Sequence, residues 1–364
     1  MSAPGRGTDR GHCIVSLEKR RYNILCLSGG GYRGLFSAAV LDSIQRGYRV
    51  ANLAAHFDLI IGTSTGGLVG AGLAAGMPPH SIVRAFETFG HRIFPSRSDL
   101  RRAYRKLTFR SQYDPRRVRS AVVSMLGDVA NAYIEDLPAP LALVAVSRMT
   151  QGHRVFCSSP YAERGITPTR LVDALLATTA APTYFPEHRI EFDWLIDGGL
   201  AANAPSLIGI SLLRRKLALP ADKIHVLHIG TAAPAEPQSF DRHHLQSFGP
   251  RALWRRMLNS TRDLVLLTIE AQESLAMEIA EAWIGDRYVY VDAPDEDRQG
   301  DELTRLDNAS PEATRKLRWL AEQTWLKWQD SPLLRSFFGT ARPVMQHPAR
   351  PGARRAPPSI AIVR

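Results

Sequence analysis

A chain of 364 residues with 45% hydrophobic content can hold one large domain or two ordinary ones, and it buries a normal core. Its formal charge of +11 favours anionic partners such as anionic lipid, nucleic acid or free phosphate, but names none of them. The three cysteines (Cys13, Cys26 and Cys157) lack metal or redox spacing. No run reaches the ~20 apolar residues of a bilayer span, and the N-terminus lacks the apolar stretch of a secretory signal. The expected setting is therefore a reducing cytoplasm, with any membrane contact peripheral.

Residues 1–20 are polar, basic and glycine-bearing and read as a flexible lead-in. From Tyr22 onward, short β-type runs alternate with helical ones: strand 22–27, helix 35–44, strand 57–61, then a small-residue helix after Ser64. The rhythm returns with strands at 141–146 and 153–157, helices at 171–178 and 204–217, and a strand at 224–229. Such alternation predicts an α/β fold with a mainly parallel central sheet covered by helices, one domain spanning 21–230. Within it, residues 84–119 carry eleven Arg or Lys against three acids, a net +8. This basic insertion reads either as a solvated helical segment with one charged face or as a cap resting on anionic lipid. Beyond it, helices are expected at 251–283 and at 311–328 with Ser310 as N-cap. Residues 231–338 read as a helical part of the same domain and a candidate for a regulatory role, and 339–364 as a Pro/Arg-rich tail.

Three elements carry chemistry. Gly62-Thr-Ser64-Thr-Gly66 is a G-x-S-x-G lying where an apolar strand meets a helical run. A serine hydroxyl is a weak nucleophile, and a sharp elbow gives it exposure beside a helix N-terminus. The alternative is a glycine-lined turn with an N-capping serine. Next, Ser28-Gly29-Gly30-Gly31-Tyr32-Arg33-Gly34 follows a strand and opens a helix. Successive glycine amides make a nest suited to a tetrahedral oxyanion, and Arg33 adds a charge. The loop also satisfies G-x-G-x-x-G through Gly29, Gly31 and Gly34, yet the acidic residue that a dinucleotide site needs after the next strand is missing. Third, Trp194-Leu-Ile-Asp197-Gly198-Gly199 ends an apolar run in an aspartate, which is either a hairpin turn or a base facing the elbow. The stretch 177–186, broken by two prolines, reads as an acyl-pocket wall or as a plain helix C-terminus. A Ser-Asp-His arrangement using His225, His228, His243 or His244 is the competing assignment, and a non-catalytic nucleotide-binding module is a second.

With these residues in order, the chain resembles the patatin-like phospholipases: GGGYRG at 29–34, GTSTG at 62–66, DGG at 197–199 and AAPTYFP at 180–186 all match. The resemblance implies a three-layer α/β/α fold and hydrolysis of phospholipid acyl esters. It implies Ser64 as nucleophile, Asp197 as base and an oxyanion hole at Gly29, Gly30, Gly31, Arg33 and Gly34, supported by Gly62, Gly66, Gly198 and Gly199, with no metal and no cofactor for catalysis. The segment SGGGYRGLFSAAVL is similar to bacterial effector phospholipases of anti-phage systems, which a cyclic dinucleotide such as cGAMP switches on. That likeness implies a cyclic-dinucleotide activator, action at the inner face of the membrane, a homo-oligomer and no nucleic-acid partner. Arg251, Arg255, Arg256 and Arg262, or the 84–119 cluster, are the expected phosphate contacts, although solvated helix faces account for both.

Overall fold

The computed structural model describes residues 20–93, 115–162, 167–182, 184–234, 250–298 and 305–339, with only the backbone over 250–263. Among these residues one sheet contains β1 (Tyr22–Leu27), β2 (Leu59–Thr63), β3 (Leu141–Ser147), β4 (Gly152–Cys157), β5 (His188–Ile190), β6 (Asp193–Asp197), β7 (Ile224–Ile229) and β8 (Tyr288–Val291). Its order is β5-β6-β3-β2-β1-β7-β8, with β4 paired to β3 off that path. The five strands β3, β2, β1, β7 and β8 are mutually parallel, while β4, β5 and β6 form an antiparallel rim around β3.

The helices are α1 (Gly34–Gly47), α2 (Thr65–Ala74), α3 (Pro79–Ile93), α4 (Pro115–Leu126), α5 (Leu171–Thr178), α6 (Gly199–Ala202), α7 (Ser206–Leu217), α8 (Pro250–Ile284), α9 (Pro311–Trp328) and α10 (Pro332–Arg335). Strands β1 and β2 are buried along their whole length, as unbroken runs such as ILCL and LII require. Alternate side chains enter two cores. Leu25, Leu27 and Ile60 join the helices on one face, and Ile24, Cys26, Leu59 and Ile61 pack toward α7 and the end of α8 on the other. Three layers result, as expected.

The expected helices at 171–178 and 311–328 and the strand at 224–229 appear with those bounds, and the Ser310 hydroxyl caps α9 by accepting from Ala313 N at 3.1 Å. The basic stretch is bracketed by α3 and α4; its middle, 94–114, lies outside the described residues, as do 1–19 and the tail from 340. Two strands were not foreseen. β5 is three residues long, and β8 sits between a long helix and an acidic loop, so neither shows an extended period.

One feature of the register places the chemistry. β4 takes one edge of β3 from Ala142 to Ser147. On the opposite edge β2 pairs only as far as Thr63 with Val144, and β6 continues from Asp197 with Ala145. β2 runs parallel to β3 and β6 antiparallel, so their C-terminal ends meet head to head. Ser64 and Asp197 are the residues at that meeting point.

Candidate active site

Ser64 stands alone between β2 and α2 with φ 53° and ψ −126°. A β-carbon in that region costs about 1–3 kcal/mol, so the surroundings must hold it. The Ser64 amide donates to Thr178 Oγ1 at 2.9 Å, and the Thr178 hydroxyl donates in turn to the Val144 carbonyl. Thr63 Oγ1 donates to Ala202 O at 2.6 Å. Backbones crowd closely around the turn. A Cβ on Gly66 would lie 2.3 Å from Leu27 O, and one on Gly62 would lie 2.5 Å from Gly66 O, so neither position accepts a larger residue.

Asp197 is buried and hydrogen-bonded by the Ser64 side chain. Its Oδ1 accepts from Gly199 N at 2.7 Å, and its own amide donates to Ala180 O at 3.0 Å. Burial pushes its carboxyl up to about 6, opposed by the bonds from Gly199 and Ser64. A carboxylate near that value is ionised at neutral pH yet basic enough to share a serine proton. Gly198 lies against β3, where a Cβ would meet Val144 O at 2.2 Å. The hairpin alternative for Asp-Gly is thus replaced by a strand-to-helix turn into α6.

The glycine loop runs beside the elbow. Gly29 N donates to Asn203 O at 3.2 Å and Gly30 N to Thr65 Oγ1 at 3.2 Å, whereas the Gly31 amide has no acceptor among the described residues. Gly31 sits at φ +59° under the Leu306 carbonyl, which accepts from Tyr32 N at 2.7 Å. Gly34 opens α1. Burial lowers the Arg33 guanidinium below its usual range, and Glu273, Asp292 and Glu270 offset that effect. Its charge is therefore balanced by carboxylates of α8 and the segment after β8.

Glu273 was invisible in the sequence. It accepts from Ser28 Oγ at 2.6 Å and from Asn203 Nδ2 at 2.6 Å, while the same Asn203 amide donates to Gly29 O at 3.1 Å. Nothing marks an isolated glutamate on a 35-residue helix, 245 residues after its partner, as part of a loop clamp. Thr178 and Thr65 lie within the stretches 177–186 and 62–66, but their hydrogen-bonding roles leave no local signal. The competing histidines fare differently. His228 is wholly buried, lowered to about 3 by that burial, and engaged with Ser28 and Tyr288 rather than Ser64. His225 pairs in register with Asn23 near the start of β1, away from the strand ends that carry the elbow. His243 and His244, like the side chains of Arg251, Arg255, Arg256 and Arg262, lie outside the described residues.

A family model described as patatin-like phospholipase matches residues 25–209. Among curated proteins, the chain is similar to a "cGAMP-activated phospholipase" of Pseudomonas aeruginosa, at 33% identity over 87% of this chain and 91% of the relative. A second protein of that name from Escherichia coli is 31% identical over 89% of this chain and 95% of its own length. Patatin-01 of Solanum tuberosum is 26% identical over 64% of this chain and 65% of the relative.

Proposed function

Because this chain belongs to the patatin-like phospholipase family, and is thereby a lipid acyl hydrolase, we propose that it cleaves phospholipid esters with Ser64 as nucleophile and Asp197 as base, under the control of a cyclic dinucleotide. One observation carries the catalytic assignment: an exposed-side serine on a strained elbow donates to a buried carboxylate whose proton affinity burial has raised.

Ser64 Oγ attacks the ester carbonyl carbon as its proton passes to Asp197. The carbonyl oxygen becomes an oxyanion, held by the Gly31 amide, by Gly30 if it exchanges its 3.2 Å bond to Thr65, and by the N-terminus of α2. Collapse breaks the bond to the glycerol oxygen, which leaves with the proton from Asp197 as a lysophospholipid. Water then gives its proton to Asp197 and attacks the acyl-serine, and the second collapse frees a fatty acid and restores Ser64. Each proton travels through one carboxylate, so the site has no need of a histidine.

Cyclic-dinucleotide control is supported by the names of relatives that match nearly end to end. The enzyme would then work in the cytoplasm, peripherally on the inner membrane face, degrading the membrane of its own cell during phage infection, and would assemble as a homo-oligomer. Release of fatty acid from phosphatidyl vesicles, with and without cyclic GMP–AMP, tests both parts. Wild-type hydrolysis that Ser64→Ala or Asp197→Asn leaves standing would sink the catalytic assignment. Equal rates with and without the nucleotide would sink the control and leave a constitutive lipase.

A further inference from the structure

The antiparallel rim overhangs the site. Ser147, the last residue of β3, is three positions beyond Val144, which pairs with the elbow strand at Thr63. At 3.3 Å per residue, the β3–β4 turn (148–151) stands about 10 Å past the level of Ser64, on the side where the parallel strands end. β5 and β6 pair from His188 with Leu195 to Ile190 with Asp193, so their turn at 191–192 lies at the same protruding end.

These two turns expose apolar side chains. Phe192 is 85% exposed, Met149 67% and Trp194 47%. The rest of the rim holds them rigidly: Arg148 N donates to Trp194 O at 2.9 Å, Met149 N to Asp193 Oδ1 at 3.3 Å, and Arg148 pairs with Glu187 at 2.7 Å. Arg154 pairs with Asp193 at 3.4 Å. Arg189 has no carboxylate partner among the described residues, and its guanidinium lies 5.7 Å from the Trp194 ring centre. An indole flanked by a cation that carries no carboxylate partner and is held by the Glu191 carbonyl at 2.9 Å, with a phenyl ring and a thioether at adjoining tips, is the composition that the headgroup–acyl boundary of a bilayer favours.

We infer that the rim formed by the 148–151 and 191–194 turns is the membrane-contacting surface of this enzyme, seating Phe192, Met149 and Trp194 in the lipid boundary so that the Ser64 elbow faces the leaflet from about 10 Å. The inference rests on the phospholipase reading above and adds where the bilayer is met. Arg148 and Arg154 are paired with Glu187 and Asp193, which leaves Arg189 as the cation beside the tips, so insertion of apolar groups contributes more than bulk charge.

The test measures co-sedimentation with phosphatidylglycerol/phosphatidylethanolamine vesicles, using full-length Ser64→Ala protein so that no lipid is consumed, with and without cyclic GMP–AMP. In this background Phe192→Ser should weaken vesicle binding about ten-fold, and Phe192→Ser with Met149→Ser about a hundred-fold. Leu326→Ser, a comparably exposed apolar position on α9, should bind as the parent does. Thermal midpoints within a few degrees of the parent confirm that the turn variants fold. Unchanged vesicle affinity in the double variant overturns the inference. So does a parent that binds no vesicles in either condition, or a double variant whose only change is its oligomeric state in sedimentation, which assigns the tips to a second copy. If the tips govern binding but Ser64-intact protein releases no fatty acid, the catalytic reading fails while this surface stands.

Discussion

Two neighbouring strands each end in a serine that touches a carboxylate, and the proposed mechanism uses only one of the two. Ser28 follows β1; its hydroxyl lies 2.7 Å from His228 Nε2 and donates to Glu273 at 2.6 Å, while His228 Nδ1 lies 2.6 Å from the Tyr288 hydroxyl. By distances alone this is a fuller catalytic set than Ser64 with Asp197. Yet Ser28 is wholly buried, its proton points at Glu273, and burial keeps His228 neutral at about 3. Ser64 is partly exposed, on a turn whose φ of 53° stores strain, beside a carboxyl that burial raises to about 6. Access and backbone placement, rather than the count of partners, distinguish the proposed nucleophile from the buried hydroxyl.

Substitutions sharpen that contrast. Ser64→Ala and Asp197→Asn should each lower fatty-acid release about 10⁴-fold or more, as loss of a nucleophile or its orienting base does elsewhere, read on vesicles with folding checked by circular dichroism. Glu273→Gln keeps the shape but mismatches one of its two donors; the loop should loosen, and kcat fall roughly ten- to a hundred-fold with KM little changed. If kcat stays at the parental value, Glu273 is no more than a packing residue.

Asp197 gives a pH test with two opposite signs. On the proposed mechanism hydrolysis should rise as pH increases through about 6, where the carboxyl that is to act as base becomes ionised. Stability should run the other way. The folded value of about 6 is above the ordinary 3.8, so the stabilising contribution is complete below about 3.8 and is lost as pH rises through about 6. At neutral pH the charge then costs on the order of 3 kcal/mol, and Asp197→Asn should melt above the parent at pH 7.5, with the gap closing toward pH 4. A variant that melts lower at pH 7.5 would contradict the raised value.

The smallest effect belongs to the buried set. Ser28→Ala should cost about 1–3 kcal/mol of stability, measured by denaturant unfolding, with hydrolysis within several-fold of the parent. A loss matching that of Ser64→Ala would make the two serines equals and collapse the comparison.

Much of this was legible along the chain. Apolar runs and their punctuation predict seven of the observed elements closely, since a strand buried on both faces and a capped amphipathic helix leave local signatures. The three glycine-bearing elements are equally local: Gly62 and Gly66 are where backbones touch, and no other residue fits. Glu273, Asn203 and Thr178 are ordinary residues in ordinary surroundings, and they acquire roles only because α8 passes beside the loop and α6 and α5 end next to it. The antiparallel rim is likewise nonlocal, for β5 is too short to show a period and β6 reads as well as a hairpin.

Composition, periodicity and motif spacing by themselves determined the α/β class and the glycine-lined serine elbow at 62–66, because each depends on neighbours within a few residues. The tertiary structure decided that β2 and β6 meet end to end on one edge of β3, that burial raises Asp197, and that a second serine one strand away is shut from solvent. Those outcomes depend on which strand edges pair and what water can reach, and such properties exist only once distant segments have packed together.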